Sequence, residues 1–191
     1  LTNHLIKKGN LVTIFDNLSN STENNVTNLK SKNVKFVKGD ILNLKLLEEK
    51  CIGHDIIIHL AAQISVQESI RNPENTMKIN VEGTKNILEE MNNNNVRRIA
   101  FLSTCMVYGT PQHKIMKTTH PLKPNGPYGS TKVKAEQLIS NFGQAQQNKT
   151  LIYRPGLIAG PGRFGLLSKL FFLIKNNLPV PLIGSGKNHY Q

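Results

Sequence analysis

Hydrophobic residues of this chain alternate between short continuous runs and longer stretches with helical spacing. The short runs predict buried strands at residues 11–15, 34–37, 55–60, 98–103 and 151–154. The intervening stretches predict helices at residues 1–8, 23–30, 44–51, 76–92, 128–142 and 166–175. Because neighbouring parallel strands need a crossover that is usually a helix, this order predicts an α/β fold with a doubly wound parallel sheet.

A glycine-rich stretch marks the predicted domain boundary. Residues 156–165 contain four glycines and Pro161, a composition typical of a connection. We therefore expect residues 1–155 to carry the sheet and residues 156–191 to begin a second, incomplete lobe.

The composition is that of a globular domain, with 191 residues, 38% of them hydrophobic and 19% charged. The longest apolar run is far shorter than the roughly 20 residues of a membrane-spanning helix, and no basic and apolar leader opens the sequence. The two cysteines, Cys51 and Cys105, are too few for a disulfide framework, so we expect free thiols. The expected location is the cytoplasm, without a membrane partner.

The net charge of +12 is concentrated in the second half of the chain. Up to Thr110 there are 13 Lys and Arg against 11 Asp and Glu, whereas from Pro111 onward 11 basic residues face one acid, Glu136. These basic residues stand singly, without interleaved aromatic residues, which argues against binding of a nucleic-acid backbone. A small anionic ligand fits better, and a lysine-rich solvated surface explains the excess equally well.

The residues that follow the predicted strands indicate a nucleotide site, because ligands of open parallel sheets bind at the carboxyl ends of the strands. Asp16 ends the first strand, where a carboxylate can accept hydrogen bonds from both adenosine ribose hydroxyls and repels a 2′-phosphate. NAD is therefore favoured over NADP. Asp40, and then Ala61 and Ala62, follow the next two strands and leave room for a flat ring. An Asp in this position is also an ordinary turn residue.

Tyr128 and Lys132 are the sharpest candidates for chemistry. They lie four positions apart in a predicted helix and so share a face, after a strand that ends in Ser103 and Thr104. An ammonium near a phenol lowers the phenol's pKa, which makes Tyr128 a proton acceptor near neutral pH. With 19 lysines in the chain, such a pair also arises by chance. We predict that His59, within a strand, is a core residue satisfied by backbone rather than a base.

Seven segments, in order and over nearly the whole chain, resemble the extended short-chain dehydrogenase/reductases of the NAD-dependent epimerase/dehydratase family. They are residues 12–18 (VTIFDNL), 39–41 (GDI), 59–63 (HLAAQ), 80–84 (NVEGT), 103–109 (STCMVYG), 127–132 (PYGSTK), and Arg154-Pro155 with Gly160-Pro161. The resemblance implies a Rossmann-like fold, NAD as cofactor and a nucleotide sugar as substrate, as in proteins of the UDP-glucose 4-epimerase type.

The resemblance also implies roles for particular residues. Asp16 and Asn17 are expected to bind the adenosine ribose. The remaining cofactor contacts are expected from Asp40 and Ile41 beside adenine, and from Leu60, Ala61, Ala62, Asn80, Tyr128 and Lys132. Thr104 is expected to be the catalytic hydroxyl, Tyr128 the base and Lys132 its electrostatic partner. No metal is implied.

Within the family, the residues favour an NAD-dependent sugar-nucleotide epimerase, which removes and returns hydride through a keto intermediate. Cys105 and Met106 stand where the family's 4,6-dehydratases carry an Asp-Glu acid/base pair, so elimination of water is not expected. Leu157 stands where many sugar-nucleotide epimerases carry Asn, which admits an NAD-dependent dehydrogenase or reductase of a hydroxysteroid or other small alcohol. A non-catalytic NAD-binding module, or an inactive fragment, is the third interpretation.

Two family features are expected to lie outside these 191 residues: the first strand with its Gly-rich loop, and the rest of the substrate lobe. Because the backbone amides of that loop hold the pyrophosphate, we expect weak NAD binding without it. The resemblance further implies a homodimer formed through helices 76–92 and 128–142.

Overall fold

Parallel strands alternate with helices in the computed structural model, which describes residues 1–22, 24–27, 29, 31–113, 115–145, 148–158 and 166–180. The strands are β1 (Val12–Asp16), β2 (Val34–Lys38), β3 (Ile57–His59), β4 (Arg98–Leu102) and β5 (Lys149–Tyr153). The helices are α1 (Thr2–Lys7), α2 (Asn24–Thr27), α3 (Leu44–Cys51), α4 (Val66–Arg71), α5 (Pro73–Met77), α6 (Gly83–Asn93), α7 (Pro127–Gln144) and α8 (Leu166–Lys175). The predicted α/β class is confirmed.

The described strands are distributed over two parallel sheets. β1 pairs with β2, with Val12 opposite Val34, and the second sheet has the order β3-β4-β5. A side-chain contact links the two sheets, because His54 Nε2 in the turn before β3 lies 3.0 Å from Thr13 Oγ1 on β1. Residues that the sequence singled out stand at the carboxyl ends of all five described strands. Asp16 is the last residue of β1, and the others follow β2 to β5 by one or two residues: Asp40, Leu60, Thr104 and Arg154.

One hydrophobic core joins the central strand to the helices that cover it. On β4, Ile99 and Phe101 are 2% exposed and point into this core, whereas Ala100 is only half-buried, as expected from the alternation of side chains along a strand. The remaining members come from α3, α6 and α7 and their flanks: Ile41, Leu47, Ile87, Leu88, Met91, Val96, Ala135, Ile139 and Phe142. Helix α7 thereby packs into the core through its second half.

The helix predicted at 76–92 is longer and is interrupted. Asn72 caps its start by accepting a hydrogen bond from the Asn75 amide at 3.2 Å, and Pro73 is the first helical residue. A π-helical turn, Lys78–Glu82, then joins α5 to α6. Such a turn changes the direction in which its side chains point, and Asn80 is one of its residues. The short helix α4 was not predicted, because six residues carry too little periodicity.

Some predicted features fall on residues outside the described ranges. These include most of the Gly-rich stretch 156–165, the Gly160-Pro161 motif, residues 181–191, and residues 23, 28 and 30 of the helix predicted at 23–30. The domain boundary at residue 155 therefore stays a prediction. Among the helices that are described, none combines the length and the apolar character needed to cross a membrane.

Candidate functional site

Three polar side chains meet where β1 and β2 end. Asn17 Nδ2 donates to Asp40 Oδ2 at 2.9 Å, Asp16 Oδ1 accepts from the Leu18 amide at 2.7 Å, and Asp40 Oδ1 accepts from the Leu42 amide at 2.9 Å. These bonds orient both carboxylates at the accessible carboxyl ends of β1 and β2. Ile41, in contrast, has its side chain in the core at 7% exposure, where a Cβ on Gly83 would collide with it.

Asn80 ties the end of β3 to helix α7. Its Oδ1 accepts from the Gln63 amide at 2.7 Å, and its Nδ2 donates to the Gln63 carbonyl at 3.1 Å and to Thr131 Oγ1 at 3.0 Å. The side chain is 2% exposed, so these bonds are shielded from water. Asn80 thus holds the segment after Leu60, Ala61 and Ala62 against α7.

The first turn of α7 carries Tyr128 and packs closely on the segment after β4. Gly126 and Pro127 start the helix, and at Gly129 a Cβ would lie 2.8 Å from the Met106 carbonyl oxygen, which explains the glycine. Tyr128 is 9% exposed. Thr104 is 8% exposed, and its Oγ1 accepts from the Met106 amide at 3.2 Å, a bond that does not use the hydroxyl hydrogen.

Lys132 is one helical turn beyond Tyr128 and is 3% exposed. Its Nζ lies 4.0 Å from the centre of the Phe101 ring. Burial lowers the pKa of Lys132 to about 8, and the Glu136 carboxylate partly opposes this change. The prediction for His59 was wrong in one respect: the ring is buried, but Nε2 lies 2.9 Å from the Thr84 hydroxyl rather than from a backbone group. Burial lowers the pKa of His59 to about 3, so it is neutral.

A cavity of about 1140 Å³ opens beside the first turn of α7. Its walls include Tyr128, the Cys105–Met106 segment, Tyr153 at the end of β5 and Arg154 after it. A fourth wall comes from the last part of the connection between β4 and α7, residues 109–113 and 115–126, which we call the arm; residue 114 is outside the described ranges. Thr104 and Lys132 are not among the described residues that line the cavity.

Arg154 forms hydrogen bonds with helix α7, with Tyr108 and with the arm. Its Nε and Nη2 donate to Glu136 Oε1 at 2.9 Å and Oε2 at 2.7 Å, on α7. Its Nη1 donates to the Tyr108 hydroxyl at 2.9 Å and to the Thr118 carbonyl of the arm at 3.2 Å. The hydrogen bonds to Glu136 raise the pKa of Arg154, so the guanidinium is always charged.

The arm is closed at its base by a glycine turn. Gly109 has φ +70°, and a Cβ there would collide with the Lys123 carbonyl oxygen. Beside it, Asn125 Nδ2 donates to Thr110 Oγ1 at 2.9 Å. We expect Gly109→Ala to lower the free energy of unfolding by about 3 kcal/mol, because it combines left-handed backbone strain with overpacking.

The matched control for that substitution is Gly53→Ala. Gly53 has φ +74°, but no atom lies within 4 Å of the position that a Cβ would take, so only the backbone strain of about 1 kcal/mol is expected. Urea unfolding of both variants measures the difference. Equal losses would contradict a tight contact between the two ends of the arm.

The site residues that sequence reasoning missed lie in this network. Glu136 follows Lys132 by the same four positions that separate Lys132 from Tyr128, and this spacing is a usable signal. His120 was also missed: its ring lies edge-on to that of His113, which lines the cavity, with 5.8 Å between the ring centres. Nothing in the spacing of the arm residues predicts their approach to Arg154, because the contact joins segments 36 residues apart.

Comparisons with known proteins show the family of this chain. The NAD dependent epimerase/dehydratase family matches residues 1–191, which confirms the resemblance seen in the sequence. A putative UDP-glucose 4-epimerase of Methanocaldococcus jannaschii is 34% identical over 97% of this chain and 62% of that protein. A dTDP-glucose 4,6-dehydratase of Streptomyces niveus is 30% identical over 96% of this chain and 56% of that protein.

A solved structure has the same fold. UDP-glucose 4-epimerase from Brucella ovis in complex with NAD matches with a TM-score of 0.74 and 28% identity, over 80% of this chain and 46% of that chain. The chain therefore spans about half to three fifths of the length of these relatives.

Proposed function

We propose, from the premise that this chain belongs to the NAD-dependent epimerase/dehydratase family, that the whole protein is a sugar-nucleotide epimerase. The observation that carries the proposal is the placement of Tyr128 in the cavity wall, one turn before the buried Lys132 and beside the Cys105–Met106 segment. That segment lacks the carboxylates with which a dehydratase would eliminate water.

NAD is the cofactor of the family, and the polar groups at the strand ends fit it. Asp16 uses one carboxylate oxygen for the Leu18 amide, which leaves the other to accept from a ribose hydroxyl. Asn17 and Asp40 lie beside it on the adenosine side. Ala61 and Ala62 present small side chains after β3, where a flat ring can lie against the backbone.

The proposed chemistry divides among three side chains. Tyr128, as phenolate, takes the proton from a sugar hydroxyl, and Thr104 donates a hydrogen bond to the same oxygen as it becomes a carbonyl. Lys132, charged at neutral pH, stabilises the phenolate. The nicotinamide ring, when NAD is bound, supplies the acceptor and donor of hydride. Asn80 holds the segment after β3 and helix α7 in fixed relative positions. The cofactor contacts expected after β3 therefore stay aligned with the base, Tyr128, on α7.

A dehydrogenase acting on a small alcohol is the second candidate. It is favoured by Leu157, 50% exposed, at the position where many sugar-nucleotide epimerases carry an amide side chain. Such an enzyme would exchange its cofactor with solution after each turnover, whereas an epimerase restores NAD within the site.

We expect the purified whole protein to interconvert UDP-glucose and UDP-galactose without added NAD, and to keep bound nucleotide through dialysis. Sugar products are measured by chromatography, and the nucleotide is released by acid and quantified. Loss of all nucleotide, with NADH formed only when NAD and an alcohol are added, would support the dehydrogenase instead. A 4-keto-6-deoxy sugar product would contradict the inference drawn from Cys105 and Met106.

The homodimer and the cytoplasmic location stay predictions. On the helices expected to meet a second copy, the exposed side chains are polar: Lys78, Glu82, Lys85, Glu89, Asn92, Lys134, Gln137, Ser140 and Asn141. Light scattering on the whole protein distinguishes a dimer from a monomer.

A further inference from the structure

An ion pair between Arg154 and Glu136, with a half-buried guanidinium and a buried carboxylate, connects helix α7 to the arm that forms one wall of the cavity. Glu136 is 2% exposed and receives two hydrogen bonds from the Arg154 guanidinium, in the planar, two-pronged geometry that suits arginine. The remaining terminal nitrogen, Nη1, reaches the arm at the Thr118 carbonyl. One cation therefore bridges the helix that carries Tyr128 and the segment that faces it.

Tyr108 gives the bridge a second attachment. Its hydroxyl accepts from the same Nη1 at 2.9 Å, and the guanidinium lies 5.1 Å from the centre of its ring. The Tyr108 ring also meets His120 of the arm, which is 9% exposed, edge to face with 5.8 Å between ring centres. The arm is thus packed against Tyr108 through His120 and hydrogen-bonded to Arg154 through Thr118.

None of these contacts uses the base or its lysine partner. We propose that the Arg154–Glu136 pair is a positioning unit, which holds the arm closed against α7 and thereby sets the affinity of the cavity for its sugar substrate. This inference rests on the proposed function for the identity of the substrate. The closing of the arm itself does not depend on that identity.

A positioning role makes a specific kinetic prediction. Arg154→Lys keeps a cation beside Glu136 but loses the planar fork, so it cannot make the paired bonds and the bond to Thr118 together. We expect KM to rise about tenfold, the effect of losing a charge-assisted hydrogen bond, while kcat changes less than about threefold. Tyr108→Phe, which leaves the ion pair intact and removes only the hydroxyl, is expected to raise KM by a smaller factor.

Cys105 provides a readout that does not depend on catalysis. Its side chain is exposed and lines the same cavity, and its amide donates to the Pro155 carbonyl, directly after Arg154. We expect iodoacetamide to alkylate Cys105 several-fold faster in Arg154→Lys and Glu136→Gln than in the parent protein, because an open arm widens the cavity through which the reagent approaches the thiol. Cys51, 4% exposed, stays unmodified as long as the domain is folded, which peptide mass spectrometry verifies.

The matched control is Glu49→Gln, which removes a carboxylate from the exposed Glu49–Lys50 pair and is expected to change neither KM nor the Cys105 rate. Unchanged KM and unchanged alkylation in Arg154→Lys overturn the inference. Faster alkylation in a whole protein that does not epimerise sugars supports the closed arm and counts only against the proposed function. If Cys51 is also alkylated, the variant has unfolded, and Tyr108→Phe then decides by the same two measurements.

Discussion

Tyr128→Phe is expected to lower kcat of the whole protein by about 10²- to 10⁴-fold, the contribution of a positioned proton acceptor. The substitution removes one oxygen and keeps the ring, so the packing of the first turn of α7 on the Met106 carbonyl is preserved. Bound NAD is expected to remain, because the adenosine side of the proposed site, at Asp16 and Asp40, is untouched. Initial rates and released nucleotide measure the two quantities.

The control for this prediction is Tyr153→Phe. Tyr153 lines the same cavity at 61% exposure, but it is the last residue of a strand, where the lysine four positions before it, Lys149, lies about 13 Å away along the chain. We expect removal of the Tyr153 hydroxyl to change kcat by less than about threefold. Similar losses in both variants would mean that any polar group of the cavity matters equally, and the assignment of Tyr128 as the base would be abandoned.

Local patterns predicted most of the elements that support the site. The apolar run at 98–103 forms β4, because its side chains pack against the helices that cover the sheet. Helices α3 and α8 have the predicted bounds, 44–51 and 166–175. The sequence also located Asp16 and Asp40 at strand ends, and Tyr128 and Lys132 on one helix, since each depends only on spacing within one element.

Contacts between distant segments could not be predicted in this way. The π-helical turn at Lys78–Glu82 has no signature in hydrophobic spacing, yet it accompanies the bonds from Asn80 to Gln63 and Thr131. The bridge from Arg154 to Glu136 and Thr118 depends on how β5, α7 and the arm meet in three dimensions. Tertiary packing decides such contacts, and the sequence of one element does not contain it.

Lys132→Met is expected to stabilise the protein while removing its activity. At neutral pH the folded chain holds a charged ammonium at 3% exposure, and burial lowers its pKa from 10.5 to about 8. A difference of that size corresponds to about 3 kcal/mol of unfavourable free energy in the folded state, which an apolar side chain of similar length avoids. Urea unfolding of the nucleotide-free protein measures the gain, and Lys134→Met, on the exposed side of the same helix, is the control.

The pH dependence of this gain tests its cause. Below pH of about 8 the lysine is charged in both states, so the parent protein bears the full cost and the advantage of Lys132→Met is largest. Between about 8 and 10.5 the unfolded chain binds more protons than the folded chain, so the parent protein gains stability as pH rises and the advantage shrinks. An advantage that is equal at pH 7 and pH 10 would instead indicate better packing against Phe101. A gain confined to the lower pH range, together with lost turnover, would mean that the buried charge is kept at the expense of stability because the phenolate of Tyr128 needs it.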